Sequence, residues 1–328
     1  MQIAVTGASG HIGNVLCRLL TEKGHQVKAF YNSDPKALSG LNVELVQGSV
    51  LVKDDLSRLI AGSEVVINCA AIISISGDPK GMVFKTNTIG PKNVLDICIA
   101  EGVKKLIHVS SVHAVTELPH SQAFDETRPY KTSADFAYDY SKAEGEKSIL
   151  NGAKNNSIEV IIVRPSCVIG PFDYKPSKMG KALLDIYNQK IPFLPKGGYD
   201  LVDVRDVAGS IIEAIQKGNN GEIFLLSGKY YSLIELAKVI HQVTGKKVTD
   251  KTLPYWLLKV LAPFAMVYFK LTRSDPTLTI ESINALKHGH PFMNNAKAKK
   301  ILNHRNRPLE ETITDFFLWQ PDNKNIKK

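Results

Sequence analysis

The chain has 328 residues, 44% hydrophobic and 22% charged, with a formal net charge of +9. That length carries one large domain or two intimate ones, and the balance excludes a disordered chain. Cys17, Cys69, Cys98 and Cys167 lie scattered in apolar stretches, which excludes a disulfide framework or a cysteine metal site and reads as buried free thiols.

In chain order, residues 2–6 form an apolar strand that runs into Gly7-Ala8-Ser9-Gly10-His11-Ile12-Gly13. Gly7 permits a tight turn, Gly10 admits phosphates close to the backbone, and Gly13 lets a new helix pack on the sheet. Ile12, Val15, Leu16, Leu19 and Leu20 mark that helix, whose N-terminus offers N–H groups and a positive dipole end to an anion. Further strands are expected at 26–31, 43–47, 65–68, 105–109 and 158–163, with helices between them. Apolar strands alternating with helices indicate a parallel sheet covered on both faces.

The strand at 105–109 ends in Ser110-Ser111, at the sheet end where ligands of open α/β sheets lie. Tyr138 and Lys142 stand four residues apart on a predicted helix, one turn, so both side chains point the same way. A neighbouring ammonium lowers a tyrosine pKa and lets the phenol exchange protons with a carbonyl oxygen. Tyr140 has Glu144 in the equivalent position, which works in the opposite sense. His108 and His113 flank the serines and read as structural, with reach into the pocket the alternative for His113. Asp125-Glu126 reads as a solvated turn. No cluster has metal-ligand spacing, so no metal is expected.

Past Arg164-Pro165 the pattern loosens into a loop-rich stretch over 170–200 with a helix near 178–189. A helix near 204–217, a strand near 222–226 and a helix near 232–243 follow. Residues 253–271 are apolar but broken by Pro254, Pro263, Lys259 and Lys270, which argues against a simple membrane span. A cap helix walling a substrate pocket with Trp256, Phe264 and Tyr268 is the expectation, and membrane-surface contact is the lesser alternative. Basic residues near the end, from Lys297 to Lys328, read as solvated surface. Nothing resembles a nucleic-acid module.

Together these stretches resemble an extended short-chain dehydrogenase/reductase, of the NAD-dependent epimerase/dehydratase superfamily. The motifs that carry it are Thr6 to Gly13, Asn68-Cys69-Ala70-Ala71, Asn87 to Gly90, Val109-Ser110-Ser111, Tyr138 to Lys142, Arg164-Pro165 and Asp203 to Ala208. The chain is most similar to dihydroflavonol-reductase-like and 3β-hydroxysteroid-dehydrogenase-like members. The resemblance implies a Rossmann-type doubly wound parallel sheet with a smaller, mainly helical C-terminal substrate cap. The core is expected over 1–165 plus about 201–228, the cap over 166–200 plus about 229–320, and a basic tail over 321–328. It also implies a Ser–Tyr–Lys mechanism with Ser111, Tyr138 and Lys142, in which Lys142 also holds the nicotinamide ribose. Gly7, Ser9, Gly10, His11, Ile12, Gly13, Asn32, Ser49, Val50, Ala70, Ala71 and Pro165 are the implied cofactor contacts.

Two departures bear on specificity. Asn32 closes the second strand where an acid would hold an adenosine 2′-hydroxyl, so NADP is expected, with NAD the alternative. Ser49 stands where relatives place an aspartate facing adenine. Tyr199-Asp200 replaces the Arg-Asp pair with which nucleotide-sugar epimerases grip phosphate, so an apolar or aromatic carbonyl or alcohol is the expected substrate. A redox-neutral epimerase or dehydratase with retained NAD is the rival enzyme. A non-catalytic NAD(P)-binding regulator is the rival from another class. The first strand begins at residue 2, which leaves no room for a signal peptide, and a cytoplasmic location is expected. A homodimer through helices near 80–101 and 135–153 is the implied assembly.

Overall fold

A computed structural model describes residues 1–258, 260 and 279–320. The first half alternates β1 (Gln2–Thr6), α1 (His11–Glu22), β2 (Gln26–Tyr31), β3 (Glu44–Gln47), α2 (Lys53–Ile60), β4 (Val65–Asn68), α3 (Met82–Ala100), β5 (Lys105–Val109), α4 (Ala137–Ala153) and β6 (Glu159–Pro165). Then come β7 (Cys167–Ile169), α5 (Lys178–Tyr187), β8 (Leu194–Pro195), β9 (Gly198–Asp203), α6 (Val204–Lys217), β10 (Ile223–Leu226), β11 (Lys229–Ser232), α7 (Leu233–Thr244) and β12 (Thr252–Leu253). The helices α8 (Ile280–His288), α9 (Ala296–Leu302) and α10 (Leu309–Trp319) follow.

Seven strands make one parallel sheet in the order β10-β6-β5-β4-β1-β2-β3. The chain runs outward from β1 to β3 and then crosses back to lay β4 on the other side of β1. That reversal opens a crevice beyond the strand C-termini between β1 and β4. Alternate residues of β1 face opposite layers: Ile3 and Val5 pack with Leu16, Leu20, Val207 and Ile211 of α1 and α6, and Ala4 packs with Leu56, Val94 and Ile149 of α2, α3 and α4. Each such fully buried Leu or Ile contributes about 1.5–3 kcal/mol.

The loose region after Pro165 holds more order than its sequence suggests. Strands β11, β9 and β7 form a second, three-stranded sheet, and α5, α7 and α10 bury Leu183, Ile186, Leu236, Ile240, Ile313 and Phe316 beside it. These strands are three to six residues long and follow other elements closely, so no period could show them. Several basic residues near the end are not simply solvated. Lys297 donates to the Ile223 carbonyl at 3.0 Å, and Arg307 pairs with Asp206 and Glu311. The basic tail at 321–328 and, within the apolar segment, residues 259 and 261–271 lie outside the described residues. Among the described residues, no helix is long and apolar enough to cross a membrane.

A five-residue strap, residues 170–174, lies across α1. The Pro171 carbonyl accepts from His11 Nε2 at 2.9 Å, and the Phe172 carbonyl accepts from Asn14 Nδ2 at 3.1 Å. The Arg18 guanidinium lies 4.6 Å from the Phe172 ring, and Trp319 packs edge-on to Tyr174 at 4.9 Å. Phe172 adopts φ +67, a left-handed conformation that these contacts hold in place.

Candidate active site

The glycine turn is built as its spacing predicts. Gly7 has φ +64, and a Cβ there would press on the Ala70 backbone nitrogen at 2.8 Å. At Gly13 a Cβ would collide with the Gly7 carbonyl and with Ala8. Gly10 differs: its nearest neighbour would be the Gly7 carbonyl at 3.1 Å, with open space beyond. The protein's own packing therefore demands a glycine less at 10 than at 7 or 13, and the open side leaves room for a ligand to lie close to the backbone. Gly10 caps α1 with no side-chain hydrogen bond, which leaves first-turn N–H groups for an anion. This cradle fits a dinucleotide pyrophosphate.

The other implied contacts line up along the same edge of the sheet. Asn32 follows β2, is exposed, and donates to the Gly48 carbonyl at 3.3 Å. Ser49 and Val50 follow β3; the Ser49 hydroxyl accepts from the Leu51 N–H, and Val50 is buried against Gly90. Ala70 and Ala71 follow β4, with the Ala70 N–H donating to Thr6 Oγ1 at 3.2 Å. Pro165 ends β6 and is buried.

Between them, β1, β4 and β5 present a row the sequence reading missed. Register sets Thr6 beside Asn68 and Asn68 beside His108. Thr6 Oγ1 donates to Asn68 Oδ1, and Asn68 Nδ2 donates to His108 Nδ1 at 3.0 Å. Burial, with the Lys142 charge, holds the His108 pKa well below its usual value, so the ring is neutral and accepts at Nδ1. His108 is structural, as its sequence suggests.

Ser111, Tyr138 and Lys142 converge at the end of β5. Lys142 is buried and donates to the Val109 carbonyl at 3.0 Å. Burial pulls its pKa down to about 8, against the charge of Glu146 one turn further along α4. Burial pushes the Tyr138 phenol up to about 12, opposed by hydrogen bonding with Ser111 and reinforced by Asp139. That differs from the sequence expectation. The Lys142 ammonium donates to a main-chain oxygen, and burial rather than that charge sets the direction of the phenol's shift. Tyr138 is thus a neutral phenol that can donate a proton. Of the two serines, Ser111 serves Tyr138, whereas the Ser110 hydroxyl is buried without a partner among the described residues. Tyr140 stacks on Phe84 of α3 at 5.4 Å, away from this group.

Three supports of this geometry could not be read from local spacing. Asn87 of α3 accepts from the Ile72 N–H and donates to the Ile72 carbonyl and Ser141 Oγ, each at 2.9 Å. It ties the loop after β4 to the turn of α4 that carries Tyr138. Gly145 lets α3 and α4 approach there, since a Cβ would strike the Asn87 carbonyl. Glu146 and Arg164 form a buried ion pair at 2.5 Å, joined by Tyr130 donating to Glu146 at 2.8 Å.

His113 lies beside Tyr138, the alternative its sequence leaves open: its side chain is 46% exposed, 3.4 Å from Asp139, with its ring edge-on to Tyr138 at 6.0 Å. Partial desolvation works to lower its pKa, but the Asp139 hydrogen bond and charge prevail and raise it. Glu126 is no solvated turn residue, because it accepts the Leu225 N–H at 3.0 Å and anchors β10. Among the described residues, no group of His, Cys, Asp and Glu is placed to hold a metal ion.

Sequence comparison settles the family. Residues 3–227 match the NAD dependent epimerase/dehydratase family. The chain belongs to that family. It is an enzyme of the extended short-chain dehydrogenase/reductase type. Sterol demethylase protein B of Methylococcus capsulatus is 29% identical over 88% of this chain and 89% of its own. A putative dihydroflavonol 4-reductase of Synechocystis is 28% identical over 98% and 95%. Among solved structures, the UDP-glucuronic acid 4-epimerase of Bacillus cereus, bound to UDP-glucuronic acid and NAD, has a TM-score of 0.76. It is 20% identical over 97% of this chain and 98% of that one, a likeness of fold.

Proposed function

We propose that this family member is an NAD(P)-dependent oxidoreductase that moves a hydride between the nicotinamide and a carbonyl or secondary-alcohol substrate. The observation that carries this reading is the convergence of Ser111, Tyr138 and Lys142 at the end of β5, beside the glycine cradle. When bound, the nicotinamide supplies or accepts the hydride. Gly7, Gly10, Gly13 and the start of α1 hold the pyrophosphate, and Ala70, Ala71 and Pro165 line the rest of the groove. Ser111 donates to the substrate oxygen and stabilises the charge that develops there. Tyr138 gives its phenolic proton to that oxygen in reduction and takes it back in oxidation. Lys142 holds the ribose and, once drawn from the Val109 carbonyl toward the phenol, stabilises a phenolate.

NADP is the proposed cofactor. Asn32 offers no carboxylate to a 2′-hydroxyl, Lys36 stands nearby, and Asp34 is engaged with the Lys36 N–H at 2.9 Å. Support for an apolar or aromatic substrate rests on Tyr199, partly buried where nucleotide-sugar enzymes keep an arginine. It no longer rests on the apolar segment 253–271. Trp256 points outward, 67% exposed, and Phe264 and Tyr268 lie outside the described residues.

The test pairs binding with turnover. Nucleotide-free protein titrated with NADPH and NADH is expected to bind NADPH more tightly, with no nucleotide retained through purification. Copurified NAD released only on denaturation would overturn the reading in favour of a redox-neutral epimerase or dehydratase. Tyr138→Phe is expected to lose about 10²–10⁴-fold in turnover of apolar ketones and aldehydes while binding NADPH like the parent. Retention of more than about a tenth of the activity would sink the assignment.

A further inference from the structure

The surface around β12 carries a feature that hydride transfer does not use. Residues 189–195 and 247–253 run side by side: Gln189 donates to the Lys247 carbonyl at 2.7 Å, Thr249 to the Pro192 carbonyl at 2.8 Å, and the Leu194 N–H to the Lys251 carbonyl at 2.8 Å. β8 and β12 then pair Leu194 with Thr252. Leu194 turns inward and is buried, which leaves the adjoining Phe193 42% exposed. The helical turn that follows buries Leu258 against Ile283, with Leu253 and Tyr255 packed beside them. Its opposite side carries Trp256, 67% exposed, and Val260, 54% exposed, spaced i and i+4.

Single exposed apolar residues are ordinary, but this group has a specific setting. Lys190, Lys196, Lys247 and Lys251 are all exposed around it, and none pairs with a carboxylate among the described residues. Over 189–196 and 246–258 the one acidic residue is Asp250. An indole and a phenyl ring on the outside, ringed by long cationic side chains, suit the boundary of an anionic bilayer. The rings enter the headgroup region, the lysine stems lie along it, and the ammonium groups meet lipid phosphates. A protein partner would need acidic side chains and a shaped apolar knob, whereas a lipid surface needs only negative charge and a deformable apolar edge.

We propose that this basic, aromatic ridge docks the enzyme peripherally on anionic membranes, with Trp256 as its anchor. The inference goes beyond the hydride-transfer reading and stands without it.

The test uses the full chain with vesicles of phosphatidylcholine, with and without phosphatidylglycerol. The chain has two tryptophans, and Trp319 is held against Tyr174 and Phe172, so Trp319→Phe leaves Trp256 as the sole reporter. Co-sedimentation with phosphatidylglycerol vesicles and a blue shift of Trp256 emission are expected, both weakened by added salt. Trp256→Ala is expected to lower partitioning by about tenfold, and Lys247→Glu with Lys251→Glu to remove the preference for anionic lipid. Unchanged far-ultraviolet circular dichroism and NADPH titration would show the variants folded. Absence of partitioning, equal binding by the Trp256→Ala protein, or a blue shift that grows with protein concentration without lipid would each overturn the proposal. The last result would assign the ridge to self-association.

Discussion

The two halves of the cleft are built on different principles. On the β1–β3 side the cradle is main chain: glycines, a bare helix N-terminus, and side chains such as Asn32 that face solvent. On the β4–β6 side it is side chain: Asn68, His108, Asn87, Ser141, Lys142, Glu146 and Arg164 are all buried and nearly all paired. A backbone cradle has little to lose in stability when a side chain changes, but it loses its ligand if space is filled. A buried polar half works the other way, because removing one partner strands the other.

That contrast can be broken by substitution. The largest effect is expected at Glu146→Ala, which leaves Arg164 charged and buried; a loss of about 3–5 kcal/mol should appear in urea unfolding. A loss under about 1 kcal/mol would mean that Arg164 finds water or another carboxylate. Asn87→Ala should cost about 1–3 kcal/mol, since both backbone groups of Ile72 lose their partner. Turnover should fall with it, because the turn carrying Tyr138 is released.

Lys142→Met sharpens the same contrast through pH. The folded value of about 8 lies below the usual 10.5, so between them the unfolded chain binds more protons than the folded one. Stability of the parent therefore rises with pH across that window, and the penalty of burying the charge is in full force below it. The Lys142→Met protein, lacking that slope, should be inactive yet relatively most stabilised at about neutral pH, checked by urea midpoints across the window. The smallest effect on folding belongs to the backbone side. Gly10→Ala should change stability by less than about 1 kcal/mol while lowering NADPH affinity by roughly tenfold or more, read by fluorescence titration.

Legibility in the sequence followed the same division. The glycine turn was plain because its chemistry is confined to seven consecutive residues after a strand. Tyr138 and Lys142 were plain because one helical turn aligns them. The buried supports were not, since Glu146 meets Arg164 across 18 residues and Asn87 meets Ser141 across 54. No spacing rule connects a helix residue to a strand residue that the topology brings beneath it. Trp256 misled for a related reason. An aromatic in an apolar run reads as packing, and only the turn that follows β12 shows which side faces outward.

The strap at 170–174 is fastened to α1 by two main-chain oxygens and by the Phe172 and Tyr174 rings against Arg18. Those main-chain bonds make no demand on side-chain chemistry, but the space around them does: Pro171 and Asp173 are both buried, and Asp173 accepts the Ser177 N–H at 2.8 Å. The strap therefore couples the start of α1 to the start of α5, and a loop grafted in its place would have to bring a partner for each.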